Sequence, residues 1–414
     1  MFFYSPFRQF TNSPIPIMSL KQKIHDLSES LFEETLKTRR HLHANPELSY
    51  KEFETAKFVA EQLKKIGITP TEGVAETGLT ALIEGRNPTK KVVALRADMD
   101  ALPILEANDV PYKSKNEGVM HACGHDVHTS SLLGVAKILH SLKDEFEGTV
   151  KLIFQPGEEV APGGASLMIK DGALENPAPS KIVGQHVMPL IPVGKVGFRE
   201  GIYMASADEI YFTVHGKGGH GAIPEMCIDP VLITSHIIVA LQQIVSRNSS
   251  PKVPCVLTIG KVIANGATNV IPNKVEVAGT FRTLNEEWRE EALKLITKMA
   301  TTIAESMGGR CEMNIVRGYP FLVNEPVFTR KMKNAAIEYM GKENVVDLDI
   351  WMAAEDFSYY SQQMDACFYR LGTRNEAKGI VSGVHTPTFD IDEDALKIGQ
   401  GLMAWLAVSE LQMD

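Results

Sequence analysis

Cysteine is scarce and scattered: the 414 residues hold five, Cys123, Cys227, Cys255, Cys311 and Cys367. An odd, widely spaced set makes no disulfide framework and fits a reducing, cytoplasmic setting. Also missing is any unbroken apolar run of the roughly 18 residues that a membrane span needs. There is no basic block either; 42 Lys and Arg stand against 51 Asp and Glu, a net charge of −9 spread along the chain. Such a chain repels phosphate backbones and anionic lipid, so neither nucleic acid nor a membrane surface is an expected partner. Internal repeats and low-complexity segments are absent. With 44% hydrophobic and 22% charged residues, the composition is that of a folded globular protein, not of collagen, coiled coil or a disordered chain.

What is present is a histidine cluster. Of twelve histidines, four (His121, His125, His128 and His140) fall within twenty residues.

Residues 1–17 are aromatic and proline-containing, without an apolar stretch of signal-peptide length, and read as a disordered leader. From Ser19, a plausible N-cap, a helical pattern runs until Pro46 stops it. Beyond it, FETAKFVAEQLKKIG and DVHTSSLLGVAKILHSL read as helices, and LTALIEG, KVVALRAD, TVKLIF and KIVGQHV as strands. This alternation predicts an α/β domain with helices covering a mixed, largely parallel sheet. Residues 207–317 instead read β-α-β-β-α-β, a ferredoxin-like arrangement with two helices over a half-buried sheet. The α/β pattern resumes with helices near 326–340 and 393–412 and a strand at 366–371, so the larger domain is discontinuous.

In an open α/β sheet, ligands gather beyond the carboxyl ends of the strands. Three strands run off into reactive groups there: VVALRADMD into Asp98 and Asp100, TVKLIFQPGEE into Glu158 and Glu159, KIVGQHV into His186. Between the first two lies HACGHDVH, where Gly124 lets the backbone bend so that the Cys123 thiolate and His125 imidazole face one centre. That pair suits zinc and its transition-metal neighbours; a helix N-terminus with a buried structural cysteine is the alternative. Two adjacent glutamates at a buried strand end are costly unless a cation offsets one while the other, pushed towards neutral pKa, moves a proton. A helix N-terminus that favours acids is the plainer reading. His186 and His385 add two more donors, and Cys, His, Glu, His and His together are enough for two metals sharing a bridging group. GKGGHG lacks P-loop spacing, no G-x-S-x-G elbow occurs, and Cys123 as a nucleophile has no oxyanion-hole pattern beside it.

From RRHLHANPELSYKE (39–52) to HTPTFDIDEDAL (385–396) the chain resembles the M20 metallopeptidases. Within them it is similar to the N-acyl-amino-acid amidohydrolases, the branch of hippurate hydrolases, N-acetyl-diaminopimelate deacetylases and plant auxin-conjugate hydrolases. ALRADMDALP, HACGHDVHT, FQPGEE, GQHV, GKGGHG, ATNVIPN, GTFRT and AEDFS carry the resemblance in order. It implies two divalent metal ions, zinc or manganese with cobalt or nickel as further candidates, held by Cys123, His125, Glu159, His186 and His385. Glu158 would be the general base, Asp98 the acid that orients a ligand, and His220 a residue that polarises the scissile carbonyl. Asn269 and Arg282 match positions that bind the substrate's carboxylate end. The implied reaction is amide hydrolysis of a small N-acylated amino acid by metal-activated water. The implied organisation is a leader over 1–18, a catalytic domain over 19–203 and 318–414, and a lid and dimerisation domain over 204–317 that pairs two copies into a homodimer. The stretch GAIPEMCIDP after His220 departs from the branch's pattern, which bears on substrate preference.

Overall fold

The computed structural model describes residues 18–412. The expected leader therefore lies, but for Met18, outside the described residues. The first helical stretch is two helices, α1 (Leu20–Ser30) and α2 (Phe32–Ala44), where the sequence predicts one. Ser19 caps α1 by accepting from the Gln22 N–H. At Leu31 a ψ of −3° turns the chain, and Ile24 and Leu42 are both buried on the far sides of the break. The amphipathic α3 (Phe53–Lys65) follows.

The large sheet is assembled from β1 (Thr71–Val74), β2 (Gly78–Glu84), β3 (Val92–Asp98), β4 (Thr149–Gln155), β5 (Lys181–Pro192) and β6 (Val196–Phe198). Helices α4 (His125–Ser141) and α5 (Gly164–Lys170) lie between them in sequence. Every residue of β3 and β4 is buried, as expected of central strands covered on both faces.

The chain then leaves for a second sheet. Strand β7 (Asp208–His215), helix α6 (Pro230–Gln243), strands β8 (Cys255–Ile263) and β9 (Lys274–Thr283), helix α7 (Glu286–Ser306) and strand β10 (Arg310–Arg317) follow in the predicted β-α-β-β-α-β order. The strands lie in the order β8-β9-β7-β10, all antiparallel. Along β7, buried Ile210, Phe212 and Val214 alternate with more exposed neighbours. They meet Ile233 and Ile237 of α6 and Ile296 and Ala300 of α7 in a core separate from that of the large sheet. Asp229 and Asn285 cap the two helices, accepting from backbone N–H groups of their first turns.

Helix α8 (Pro326–Met340), strands β11 (Val345–Asp347) and β12 (Asp365–Arg374), and helix α9 (Ala395–Gln412) complete the large sheet and its cover. The strand order is β1-β2-β4-β3-β5-β12-β6-β11. Only its centre, β4-β3-β5-β12, is continuously parallel; β1 with β2, β2 with β4 and β12 with β6 are antiparallel. The sheet is thus mixed with a parallel centre, as the sequence predicts. Strand β5 also runs past His186, its predicted end, to Pro192. Its pairing with β3 stops at Gly184, so Pro189, which has no N–H to offer, sits where one flank of the strand is free.

Candidate metal centre

Four segments meet beyond the carboxyl ends of the parallel strands. The first is the end of β3, Asp98, continuing to Asp100. The second is the turn into α4, where Gly124 has φ +81°. A Cβ on Gly124 would lie 2.6 Å from Val187 Cγ2, so this position needs glycine for both conformation and space. The bend puts Cys123 and His125 on one centre. The third segment is the turn after β4, where the Glu159 N–H donates to Asp100 Oδ2 at 3.0 Å and the Gly157 N–H to Glu52 Oε1 at 2.8 Å. The fourth is the loop holding His385, whose φ of +61° is unusual for a residue with a side chain. Its N–H donates to the Ala122 carbonyl at 2.8 Å, tying the loop to the Cys123 turn.

The donor atoms converge. Cys123 Sγ is 3.4 Å from His186 Nε2 and 3.3 Å from His385 Nε2. His385 Nε2 is 3.4 Å from Glu159 Oε1, and His125 Nε2 is 3.9 Å from the same oxygen. Glu158 Oε2 stands 4.0 Å from His125 Nε2. Two of the three imidazoles have their Nδ1 proton fixed: His186 Nδ1 donates to the Val187 carbonyl (2.8 Å) and His125 Nδ1 to Asp100 Oδ1 (3.1 Å), so Nε2 is the nitrogen each turns to the centre.

The charges ask for a cation. His125 Nε2 and Glu159 Oε1 are buried and have no hydrogen-bond partner among the described residues, a costly state for polar atoms. Burial, and then the charges of Glu159 and Glu158, push the Cys123 thiol well above its usual range. Burial also raises the Glu158 carboxyl well above the carboxylate range, with Glu355 and Glu159 adding to it. Burial opposes a charged His125, yet Asp98 and Asp100 outweigh it and push its pKa to about 10. Thiolate, imidazole and carboxylate around a demand for positive charge fit divalent transition metals. Burial, reinforced by Arg370, holds His186 neutral by lowering its pKa well below the usual value.

The centre opens into a cavity of about 460 Å³ lined by Cys123, Glu158, Glu159, His186 and His385 among others. Arg282, reaching in from β9 of the small sheet, also lines it. Asp98 lies beneath, 3.7 Å from His125 Nε2. His220 and Asn269 are not among the lining residues. His220 lies opposite Val270 in a two-residue strand pairing, Asn269 is the turn residue just before Val270, and both are exposed.

Several residues without a role in the sequence reading belong to the site. Asp100 orients His125, and His128, one turn on along α4, bonds Asp98 (2.6 Å) and the Val187 N–H (2.9 Å). Period-two and period-three spacing from Asp98 and His125 is the signal that could have found them. Arg96 donates to Asp98, Glu355 and Asp356. Arg370 of β12 stands in register with His186, a proximity that no local pattern carries.

A model of the peptidase family M20/M25/M40 matches residues 94–408. The chain is 39% identical to the IAA-amino acid hydrolase ILR1-like 5 of Arabidopsis thaliana, over 92% of this chain and 88% of that one. It is also 39% identical to the N-acetyl-L-cysteine deacetylase of Bacillus subtilis, over 92% and 89%. Among solved structures, the Bacillus subtilis YXEP protein, described as a dinuclear metal binding peptidase of the M20 family, superposes with a TM-score of 0.79 at 34% identity, over 93% and 100%.

Proposed function

The chain belongs to peptidase family M20/M25/M40 as a metal-dependent amidohydrolase, and from that premise we propose that it hydrolyses small N-acyl amino acids of the N-acetyl or hippurate type. The observation that carries this reading is the clustering of Cys123, Glu159, His186 and His385, with His125 behind them, at a cavity that Glu158 and Arg282 also line. The names of the two enzyme relatives speak for acylated amino acids as the substrate class.

Those five residues would hold two divalent ions, zinc or manganese. Bound ions of this kind lower the pKa of water and polarise a carbonyl oxygen. Glu158 receives the proton of the attacking water and returns it to the amine as the C–N bond breaks, leaving a carboxylic acid and an amino acid. Its burial beside Glu355 and Glu159 keeps its proton affinity high enough for both transfers. Asp98, held by Arg96 and His128, orients the base of the centre. Arg282, with Asn269 beside it on closure, binds the substrate carboxylate. We assign residues 19–203 and 318–414 to the catalytic domain and 204–317 to a lid through which two copies pair. In that homodimer His220 of a second copy reaches the scissile carbonyl, which accounts for its exposure in the single chain.

The test is parallel assay of metal-reconstituted protein on hippurate, N-acetyl amino acids and a dipeptide panel. Turnover of the N-acyl amino acids is expected; cleavage of dipeptides alone would replace this substrate class with a peptidase reading.

A further inference from the structure

Among the described residues four arginines are buried, and three of them are paired with carboxylates. Arg39 meets Asp126, Asp390 and Glu393; Arg96 meets Asp98, Glu355 and Asp356; Arg289 meets Asp208 and Glu286. The fourth, Arg370, is fully buried and has no ion pair among the described residues. Its Nε donates to the Tyr203 hydroxyl at 2.7 Å and its Nη2 to Met204 Sδ at 2.9 Å. Its Nη1 has no hydrogen-bond partner among the described residues. Three rings surround the guanidinium, with the centroids of Trp351, Phe368 and Tyr203 at 4.9, 5.0 and 5.4 Å from Cζ. Rings attract a cation but do not neutralise it, and a buried charge without a counter-ion is costly.

This unpaired cation stands on the wall of the cavity of the metal centre. Register places it directly beside His186, on the large sheet. The other arginine on that wall, Arg282, comes from the small sheet and donates to the Met352 carbonyl at 3.1 Å. It too has no ion pair among the described residues. The cavity thus presents two guanidinium groups from two different sheets, each without a carboxylate of the protein. One carboxylate on the substrate satisfies one of them.

We infer that Arg370 is a specificity-determining anion subsite, and that the substrate carries a second carboxylate in addition to the one Arg282 binds. The inference rests on the reading of this cavity as the site of N-acyl amino acid hydrolysis. Arg370 offers a planar N–H fork of the kind that matches carboxylate geometry. The surrounding rings exclude water and so strengthen a pairing made there. The second carboxylate belongs either to an acidic amino-acid side chain or to a dicarboxylic acyl group; both present the same chemistry to Arg370.

Metal-loaded full-length enzyme assayed on N-acetyl-glutamate, N-succinyl-leucine and N-acetyl-leucine tests this. At least one of the two dicarboxylates is expected to exceed N-acetyl-leucine in kcat/KM by about 10- to 100-fold, the range of a hydrogen bond to a charged group, with the gain in KM. Preference for N-acetyl-glutamate assigns the second carboxylate to the side chain, preference for N-succinyl-leucine to the acyl group. Arg370→Gln should collapse the ratio and Arg370→Lys should restore part of it. A wild type that favours N-acetyl-leucine over both, or a ratio unchanged in Arg370→Gln, overturns the inference. Calorimetry with glutarate and butyrate gives a readout that needs neither turnover nor the variants; glutarate should bind at least about 10-fold more tightly. If no amide is cleaved but glutarate is still preferred, the hydrolysis reading fails and the subsite stands. Equal binding of the two acids overturns the subsite whatever the enzyme cleaves.

Discussion

His128 Nδ1 lies 2.6 Å from Asp98 Oδ1 while its Nε2 accepts the Val187 N–H at 2.9 Å. The second bond fixes the tautomer: Nε2 carries the lone pair, so Nδ1 carries the proton and donates to Asp98. Burial lowers the pKa of this ring against the pull of Asp98, which keeps the imidazole neutral. One ring therefore ties the acid at the end of β3 to the strand that bears His186. Replacing it with alanine should loosen both sides of the centre without removing a proposed ligand. Partners of this sort typically contribute about 10- to 100-fold in metal affinity or activity. Competitive chelator titration of His128→Ala is expected to show a loss in that range, with the fold retained by circular dichroism.

Arg96 holds the carboxylate cluster under the site. Its guanidinium is fully buried with Asp98, Glu355 and Asp356 around it. Removing it leaves Glu355 and Asp356 buried without their guanidinium and Asp98 with its histidines alone, the situation in which loss of one partner costs about 3–5 kcal/mol. Arg96→Met should therefore unfold at markedly lower denaturant than wild type. The acids it leaves behind can shed charge by protonation, so the deficit should shrink as pH falls; equilibrium unfolding at two pH values measures both effects.

Much of this was legible in the primary structure, for a physical reason. Strand ends that run into Asp98 and Glu158, and a glycine between Cys123 and His125, are local features, and the parallel sheet centre gathers such ends by topology. The β-α-β-β-α-β order of 208–317 was equally local, because alternation and capping residues mark each element. The relations that were not legible are cross-strand or cross-loop ones. Arg370 meets His186 only through the register of β12 on β5, and Arg96 meets Glu355 across 259 residues of chain. The strand expected to end at His186 continues to Pro192 along a free flank, which only the assembled sheet reveals.

Glu158→Gln keeps the shape of the side chain and removes its capacity to carry a proton. The proposed role predicts a fall in kcat of about 10²–10⁴-fold with metal content unchanged by elemental analysis. Full activity in this variant would remove Glu158 from the mechanism, and loss of metal would make it a ligand instead.

Stripping metal should destabilise the protein as well as silence it. Burial, with the charge of Glu159 adding to it, raises both the Cys123 thiol and the Glu158 carboxyl, a cost that bound cations relieve. A site saturated at 100 times its Kd gains about 2.7 kcal/mol of stability for one ion. Chelator treatment should lower Tm, and readdition of zinc or manganese should restore it. Cys123→Ser should show a smaller recovery, because it replaces a thiolate with a poorer ligand.

Gly124 offers the sharpest test of how the chain builds the centre. Its φ of +81° is a left-handed conformation that costs an ordinary residue roughly 1–2 kcal/mol. The space is closed as well: a Cβ would meet Val187 Cγ2 at 2.6 Å. Val187 cannot retreat freely, since its N–H is bonded to His128 and its carbonyl to His186. Gly124→Ala should therefore push Cys123 and His125 out of alignment and disturb both histidines through Val187. The expected result is a protein that folds with a stability deficit of a few kcal/mol but binds metal far more weakly than that deficit alone explains. Val187→Ala in the same background removes the clash and leaves the backbone strain. Partial recovery of metal affinity in the double variant would show that the close approach of Gly124 to Val187, beyond the turn itself, sets the geometry of the site.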